Sequence, residues 1–368
     1  MDFTLSDYHS IKQKKLRGRY ITYEHISSIL NGLSDTFKVG QIGESVNGLP
    51  IKSVTFGKGQ KRILMWSQMH GNESTTTKAV FDLVNWVGTK NSLSDTILDN
   101  CTIKIIPILN PDGAKAYTRV NANNIDLNRD AQDRSQPESM MLRKCFEEFK
   151  PGFCFNLHDQ RTIFNVGNTS NPATISFLAP AHDEERTISS TRELSMQIIV
   201  AMNNMLQQEI PGQVGRYDDS FNANCIGDTF QMLGTPTILF EAGHYPDDYE
   251  RENTRKYIFK ALITALFAIS SDTLSENSSE EYFQIPDNNK FYYDIVIQNA
   301  HIINPQKFKE DDSIAILFKE LLQDSKIHFE PAFEKTGILQ GCYGHKTYDC
   351  KKEEDLEYIK TQSFWKDL

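Results

Sequence analysis

A histidine and a glutamate stand three residues apart, as His70 and Glu73, shortly after an apolar run at residues 63–66. The apolar run has the pattern of a buried strand, and helix-capping residues followed by apolar residues at helical spacing come after Glu73. The two side chains are therefore predicted to lie on a tight turn between a strand and a helix. On such a turn an imidazole and a carboxylate can bind one cation, as zinc ligands do. The pattern alone is weak, because residues 182–185 repeat the same spacing.

Three further polar positions stand at the ends of predicted strands, namely His158, Glu241 and the cluster at residues 126–129. Ligands of open α/β sheets bind beyond the carboxyl ends of the strands, so these positions can meet His70 and Glu73 in one crevice. Two histidines and one glutamate then form a three-ligand zinc set that leaves a fourth position for water.

The remaining residues of this group supply acid–base and electrostatic chemistry. Glu241, near that water, can take its proton and pass it to a leaving nitrogen. Arg119 and Arg129 supply positive charge, one for a developing oxyanion and one for a substrate carboxylate held by two hydrogen bonds. A single residue of this kind more often forms a surface ion pair. Because all of them are predicted to lie at turns along the same edge of the sheet, a shared functional site is favoured.

The elements that must position these residues follow from the hydrophobic pattern. A hairpin turn at Asn47 and Gly48 joins two early strands, and later strands alternate with helices. The predicted strands cover residues 101–109, 152–157, 175–181 and 235–240, and the predicted helices cover residues 138–150, 185–208 and 247–270. This alternation predicts a mostly parallel or mixed sheet that is covered by helices on both faces.

Composition excludes several classes of function. The formal net charge of the 368-residue chain is −10, which argues against a nucleic-acid or anionic-membrane partner. No apolar run is long enough to span a membrane. The six cysteines contain no C-x-x-C pair and are interpreted as buried free thiols, and residues 1–19 lack the pattern of a signal peptide. We therefore expect a cytoplasmic protein.

A change in composition suggests two parts. Residues 271–281 are polar and acidic without periodicity, which predicts a linker. It would separate a catalytic domain at residues 1–275 from a small C-terminal module at residues 283–368. The module has several short strand patterns but no grouping of residues that could form a catalytic site. We interpret it as a structural or oligomerisation module whose role the sequence leaves unknown.

Taken in chain order, these motifs resemble those of the zinc metallocarboxypeptidases of the carboxypeptidase A type. The resemblance covers roughly residues 20–270 and rests on His70-Gly-Asn-Glu73, Asn110-Pro-Asp-Gly113, Arg119, Asp126-Leu-Asn-Arg129, Leu157-His158 and Phe240-Glu241. It implies an α/β fold in which a twisted, mixed and mostly parallel eight-stranded sheet is flanked by helices.

The resemblance also implies a role for each matched residue. By this resemblance, His70, Glu73 and His158 are the ligands of one Zn²⁺ per chain, and Asp126 is the acid that orients His70. Glu241 is the general base, and Arg119 donates hydrogen bonds to the oxyanion. Asn128 and Arg129 bind the terminal carboxylate of the substrate. Two further positions are candidates. Tyr217 is the nearest match to a tyrosine that family members often hold over the substrate, and Arg161 is a candidate for a second anion contact.

The substrate stays open at this stage. The family's specificity position falls near Ile226 or Gly227, where no acidic side chain stands, so a preference for basic C-terminal residues is not supported. The substrate is expected to be a peptide or an N-acyl amino acid with a free carboxylate. The chain is thus a metallocarboxypeptidase, a zinc deacylase or amidase acting on small N-acyl amino acids or cell-wall fragments, or a non-catalytic zinc-binding protein. Glu241 argues against the last alternative, and the oligomeric state stays undetermined.

Overall fold

The computed structural model describes residues 5–89 and 91–368. Residues 1–4, on which part of the signal-peptide interpretation rests, lie outside the described residues. The strands are β1 (Lys38–Glu44), β2 (Pro50–Gly57), β3 (Lys61–Ser67), β4 (Cys101–Ile106), β5 (Phe153–Asp159), β6 (Asn165–Val166), β7 (Ile175–Leu178), β8 (Val214–Arg216), β9 (Thr237–Ala242), β10 (Asn288–Asn289), β11 (Tyr292–Gln298), β12 (Ser313–Gln323), β13 (Lys326–Gly337) and β14 (Tyr343–Asp349). The helices are α1 (Leu5–Ile11), α2 (Tyr23–Asn31), α3 (Thr75–Val87), α4 (Ser92–Asn100), α5 (Pro111–Ala116), α6 (Pro137–Phe149), α7 (Ser190–Leu206), α8 (Ile226–Met232), α9 (Glu252–Ser270) and α10 (Glu353–Lys360).

Within the described residues, the main sheet has eight strands in the order β1-β2-β4-β3-β5-β9-β7-β8. Its centre, from β4 through β3 and β5 to β9, is parallel, and β7 is also parallel to β8. The pairs β1–β2, β2–β4 and β7–β9 are antiparallel. The predicted fold, a mixed and mostly parallel eight-stranded sheet with flanking helices, is confirmed.

Strand β3 is buried on both faces, which explains the continuous apolar run in its sequence. Ile63 and Met65 point into the larger core, which also contains residues of α3, α7 and α9. Leu64 and Trp66 point into a second core on the opposite face, where Trp66 packs edge-on against Phe230 of α8. The turn after β3 is therefore held by a strand that cannot shift without disturbing both cores.

Helix α7 begins later than the predicted residues 185–208, because two side chains organise the preceding turn. The carboxylate of Asp183 accepts a hydrogen bond from the backbone amide of Thr187 at 2.8 Å. The hydroxyl of Ser189 then accepts one from the amide of Arg192 and caps the helix. Such local side-chain bonds compete with the helical pattern and delay its start.

The C-terminal region forms a second, four-stranded sheet in the order β13-β12-β11-β14. One face carries a small core with α10, in which Ile297 and Ile316 are buried. Residues 271–281, which are predicted to be a linker, contain the short 3₁₀ helix Leu274–Glu276 and the start of a second one, Ser279–Gln284. Leu274 and Tyr282 are buried in the main core, and such sparse apolar residues give no periodic signal in the sequence. Among the described helices, none combines the length and the apolar character that crossing a bilayer requires.

Candidate active site

Three neighbouring strands bring the candidate residues together at the carboxyl edge of the sheet. His70 and Glu73 lie on the turn between β3 and α3, His158 lies on β5 and Glu241 lies on β9. Strand β5 is hydrogen-bonded to both β3 and β9, and His158 and Glu241 are direct partners in the β5–β9 register. The strand-end positions therefore converge in the manner expected for ligand sites of α/β sheets.

A close approach of two loops fixes the turn that carries His70. A Cβ atom on Gly71 would lie 1.9 Å from the backbone carbon of Gly113, so only glycine allows this contact. The side chain of Asn110 accepts a hydrogen bond from the amide of Gly113 at 2.8 Å and donates one to the carbonyl of Met69 at 3.1 Å. The two sequence motifs around these residues thus pack directly against each other.

His70, Glu73 and His158 form a compact group of potential metal ligands. The Nδ1 atom of His70 lies 2.9 Å from Oε1 of Glu73, and Nδ1 of His158 lies 2.8 Å from Oε2. The two Nδ1 atoms are 3.1 Å apart. The Nε2 atom of His70 faces Oδ1 of Asp126 at 2.9 Å. His182 is not part of the group, and its nearest ionic partner is its neighbour Asp183, at 3.3 Å.

The pKa values of these three side chains are set by two opposing effects, namely burial and the charges of their neighbours. Burial acts to raise the pKa of Glu73, but the adjacent His70 and His158 outweigh it and hold this pKa well below its usual range. Burial acts to lower the pKa of His70, but Glu73 and Asp126 outweigh it and raise the pKa. Burial lowers the pKa of His158, only partly opposed by Glu73. Glu73 therefore carries its charge here, as a carboxylate ligand must.

The donor set fits a zinc ion. The ligand atoms of the three side chains all lie within 4.8 Å of one another. Two imidazole nitrogens that face each other at 3.1 Å cannot both carry a proton, so at least one of them offers its lone pair to the centre of the group. Two imidazoles and one carboxylate are a common ligand set for zinc in hydrolytic sites.

Glu241 lies beside this group in a cavity of about 580 Å³. Its side chain is buried, and its Oε2 atom has no hydrogen-bond partner among the described residues. Burial, together with the charges of Glu73 and Asp159, raises the pKa of Glu241 well above its usual value. A buried carboxylate oxygen without a donor costs free energy, which is typical of a group retained for chemistry.

Arg119 reaches the edge of the ligand group from the loop after α5. Its Nε and Nη2 atoms each lie 3.1 Å from Oδ2 of Asp126, and Nη1 lies 3.4 Å from Oε1 of Glu73. The side chain is 49% exposed, so part of the guanidinium stays accessible from the cavity. Asp126 thereby contacts both His70 and Arg119 and couples their positions.

Asn128 and Arg129 line the same cavity from a short 3₁₀ helix capped by Asp126. The Oδ1 atom of Asn128 accepts a hydrogen bond from the amide of Ile226 at 3.3 Å. Nη1 of Arg129 donates to the carbonyl of Asn128 at 2.7 Å, and the rest of its side chain is exposed. Arg129 thus adds a cationic group to the lining of the cavity.

The two remaining candidates also line this cavity. Tyr217 is half-buried after β8 and packs against Phe164, with ring centroids 5.4 Å apart. Arg161 is exposed and lines both this cavity and a neighbouring one. All of the residues predicted to act as metal ligands, general base, oxyanion donor or substrate contacts therefore line one cavity.

Sequence reasoning missed two residues of the site. The carboxylate of Asp159 accepts a hydrogen bond from the backbone amide of Thr75 at 3.0 Å and thereby caps α3. Its position directly after His158 was a signal that could have identified it. Lys290 also lines the cavity, although it belongs to the region beyond residue 283, for which no contribution to a site was expected. An isolated lysine carries no signal of such a position.

Asp228 lies in the same cavity and is buried, and its Oδ2 atom accepts a hydrogen bond from the amide of Asn222 at 3.0 Å. Burial raises the pKa of Asp228 to about 7. An unfolded aspartate has a pKa of about 3.9, so between about pH 4 and pH 7 the folded state binds more protons than the unfolded state. This group therefore contributes stability that is lost as the pH rises through that window.

We expect Asp228→Asn to reduce the fall in Tm between pH 5 and pH 8, because the variant cannot titrate at this position. The measurement is thermal denaturation at several pH values for the parent and the variant. Asp218→Asn is the matched control, since Asp218 lines the same cavity but is exposed. A variant whose Tm followed pH as the parent's does would contradict the assignment.

Comparisons with known proteins agree with this geometry. Residues 22–226, more than half of the chain, match the family model described as zinc carboxypeptidase. Carboxypeptidase SOL1 of Arabidopsis thaliana is 34% identical over 105 residues, which are 26% of this chain and 21% of that protein. Carboxypeptidase 2 of Trichophyton rubrum is 25% identical over 114 residues, which are 30% of this chain and 20% of that protein. The chain thus aligns with about a fifth of the length of these relatives.

Solved structures show the same fold at low sequence identity. A metallo-carboxypeptidase from Burkholderia cenocepacia superposes with a TM-score of 0.53 and 16% identity, covering 74% of this chain and 70% of that one. Carboxypeptidase A from Helicoverpa armigera gives a TM-score of 0.50 and 16% identity, covering 70% and 75% of the two chains. Because the family model matches more than half of the chain, including His70, Glu73 and His158 but not Glu241, the chain belongs to the zinc carboxypeptidase family.

Proposed function

We propose that this protein is a zinc-dependent metallocarboxypeptidase that removes C-terminal residues from peptides. The observation that carries the proposal is one cavity lined by a buried carboxylate, Glu241, by a His–Glu–His ligand group and by the cationic side chain of Arg129. A site of this kind can bind a substrate by a terminal carboxylate and attack the adjacent amide bond. Family membership supports the same activity.

Zinc would be held by Nδ1 of His70, Nδ1 of His158 and the carboxylate of Glu73, with one ion per chain. When bound, the ion would act as a Lewis acid that polarises the substrate carbonyl and lowers the pKa of water. Asp126 accepts a hydrogen bond from Nε2 of His70, which would leave Nδ1 of that ring to bind the ion.

Glu241 would act as the general base. Its unpartnered Oε2 atom is free to accept a proton from the attacking water and to deliver it to the leaving nitrogen. Burial and the charges of Glu73 and Asp159 raise its pKa, which makes the carboxylate a stronger proton acceptor. The strand pairing with His158 places the carboxylate beside the ligand group.

The two arginines would have different roles, one in stabilising the oxyanion and one in binding the substrate. Arg119, held by Asp126 next to the ligand group, would stabilise negative charge that develops on the substrate carbonyl oxygen. Arg129, together with Asn128, would bind the terminal carboxylate through charge-assisted hydrogen bonds. Tyr217 would cover the bound substrate, and Arg161 would add a second contact to an anionic group.

Three broader assignments belong to the same proposal. A cytoplasmic location is supported by the six cysteines, all of which are free thiols. A division into a catalytic domain at residues 1–275 and a C-terminal module at residues 283–368 is supported by the separate four-stranded sheet with its own small cores. The substrate would be a peptide with a free carboxylate.

We expect the purified protein to bind one zinc ion per chain and His158→Ala to lose most of it, because one of three protein ligands is removed. Metal content after dialysis, measured by mass spectrometry, tests this. His182→Ala is the matched control, since that histidine lies outside the ligand group. Equal zinc content in the parent and His158→Ala would contradict the ligand assignment.

The activity itself is tested on a panel of substrates with the zinc-loaded protein. We expect blocked dipeptides to be cleaved with a higher kcat/KM than simple N-acyl amino acids. Hydrolysis of N-acyl amino acids alone would instead favour the deacylase alternative. No hydrolysis of either class by a protein with full zinc content would contradict both.

A further inference from the structure

The second sheet packs against the loop between β9 and α9 and against the N-terminal segment. Tyr249 of the loop contacts Phe318 and Phe329 of the sheet, with ring centroids 5.4 Å and 5.1 Å apart. The carboxylate of Glu320 on β12 lies 3.0 Å from Nη2 of the buried Arg19. Aromatic packing and a buried ion pair thus join the sheet to the main domain.

Two histidines contact each other across the same interface. His244 lies in the loop between β9 and α9 and His345 lies on β14, and their ring centroids are 4.2 Å apart. The ring of His244 also packs against Tyr249 at 4.6 Å, and the ring of His345 stacks on Tyr292 at 4.3 Å. The two imidazoles therefore lie between aromatic rings of the main domain and of the second sheet.

The two rings differ in their hydrogen bonds. Nε2 of His345 donates a hydrogen bond to the carbonyl oxygen of Thr162 at 3.1 Å. His244 is buried, and neither of its ring nitrogens has a hydrogen-bond partner among the described residues. Burial of a charged group without a partner costs far more free energy than burial of a neutral one, so the packed interface favours the neutral form of His244.

The charges around the pair also oppose protonation. Two buried cations, Arg19 and Arg251, act on the histidine of the loop. Asp247 acts on the histidine of β14, but its carboxylate is exposed and lies 2.5 Å from Nζ of Lys346. The carboxylate of Asp294, on β11, already accepts hydrogen bonds from a tyrosine, a threonine and a backbone amide. The interface therefore offers little compensation for a positive charge on either ring.

We propose that His244 and His345 form a pH-sensitive contact that holds the second sheet against the main domain at neutral pH and releases it in acid. Protonation of both rings would bring two cations into contact beside two buried arginines, whereas release of the sheet would expose the rings to water. Residues 317–321 of β12 line a cavity that shares Glu73 and Arg119 with the candidate active site. Release would therefore change the surroundings of that site.

The pKa values of the two rings define the pH window of this effect. Burial lowers the pKa of His244 well below its usual value and lowers the pKa of His345 to about 4. A histidine exposed to water has a pKa of about 6.5. The neutral rings therefore stabilise the packed sheet fully above about pH 6.5, and this stability is lost as the pH falls toward about 4. Between pH 7 and pH 5 the equilibrium constant for release should rise by about twentyfold per histidine.

Native-state hydrogen exchange at pH 5, 6 and 7 tests the proposal, because it reports the opening of each part of the structure separately. After correction for the intrinsic pH dependence of exchange, the amides of β11, β12 and β14 are compared with those of β3, β5 and β9. In the parent, we expect protection of the second sheet to fall at least about tenfold more than that of the main sheet between pH 7 and pH 5. In His244→Phe, which keeps an aromatic ring but cannot bind a proton, the fall should be smaller by at least about tenfold.

The control and the second variant separate this role from a structural one. His328→Phe is the matched control, because His328 lies on β13 of the same sheet and is exposed. At pH 7, His244→Phe should protect the sheet at least as well as the parent does, since the lost ring nitrogens have no partner. A purely structural role would instead loosen the sheet equally at every pH. If His244→Phe does not fold, His345→Phe should show the same smaller fall.

Three results would overturn the proposal. The first is protection of the second sheet that does not change between pH 7 and pH 5 in the parent. The second is an equal fall in both sheets, which would indicate general acid unfolding rather than release of one sheet. The third is an equal fall in the parent and in the histidine variants. All of these readouts are independent of catalytic activity, so they test the contact whether or not the proposed function is correct.

Discussion

Glu241→Gln is expected to lower kcat by about 10²- to 10⁴-fold while leaving the zinc content unchanged, which is the range typical for loss of a general base. Glutamine keeps the size of the side chain and its capacity for hydrogen bonds, but its amide cannot accept a proton from water. The residue is not a ligand in the His70, Glu73 and His158 group, so metal binding should persist. Steady-state kinetics and metal analysis of the same preparation provide the measurement.

Glu138→Gln is the matched control for this experiment. Glu138 is also buried, and burial raises its pKa as it does for Glu241. It lies outside the cavity, however, and its carboxylate is hydrogen-bonded to the amide of Val46 and the side chain of Asn121. The control variant should lose stability rather than turnover. A Glu241→Gln variant that retained more than about a tenth of the parent kcat would exclude this residue as the base.

The central part of the site could be predicted from the sequence because its signals are local. The apolar residues of β3 are buried on both faces, and the polar residues after such a strand can only lie at its carboxyl edge. The same reasoning gave the positions of His158 and Glu241. Their direct pairing across β5 and β9 could not be derived, since strand order depends on contacts between residues that are far apart in the chain.

Element boundaries were less predictable where side chains bond to the backbone. Helix α9 was predicted to begin at residue 247 but begins at Glu252. The carboxylate of Asp248 accepts hydrogen bonds from the amides of Glu252 and Asn253 at 2.9 Å and 2.6 Å. It thus satisfies the first free amides of the helix from outside it. The apolar periodicity that predicts a helix contains no information about such a bond.

The contribution of the C-terminal region was missed for a different reason. Phe318 and Phe329 have the pattern of ordinary strand residues, and Glu320 has that of an exposed charge. Their role depends on how the second sheet packs against the main domain, where Glu320 contacts the buried Arg19. Contacts between residues some three hundred positions apart leave no pattern in a single sequence.

Arg129→Ala and Arg119→Ala are expected to affect different kinetic constants, because the two residues lie at different places in the cleft. Arg129 would bind the terminal carboxylate in the ground state, so its loss should mainly raise KM. A hydrogen bond to a charged group contributes about 1.5–3 kcal/mol, which corresponds to a change of about 10- to 150-fold. Arg119 contacts Asp126 beside the ligand group, and its loss should mainly lower kcat, because its target charge develops only along the reaction path.

A peptide amidated at its C-terminus sharpens this test, since it lacks the carboxylate that Arg129 is proposed to bind. The parent and Arg119→Ala should both cleave the free acid far better than the amide. Arg129→Ala should cleave the free acid and the amide at similar rates, because it lacks the guanidinium that distinguishes them. The comparison is a double-mutant cycle in which the substrate is one partner. If the parent itself cleaved both substrates equally well, no residue of the protein would be recognising the terminal carboxylate. The exopeptidase assignment would then fail, whereas a zinc hydrolase built on the same ligand group would remain possible.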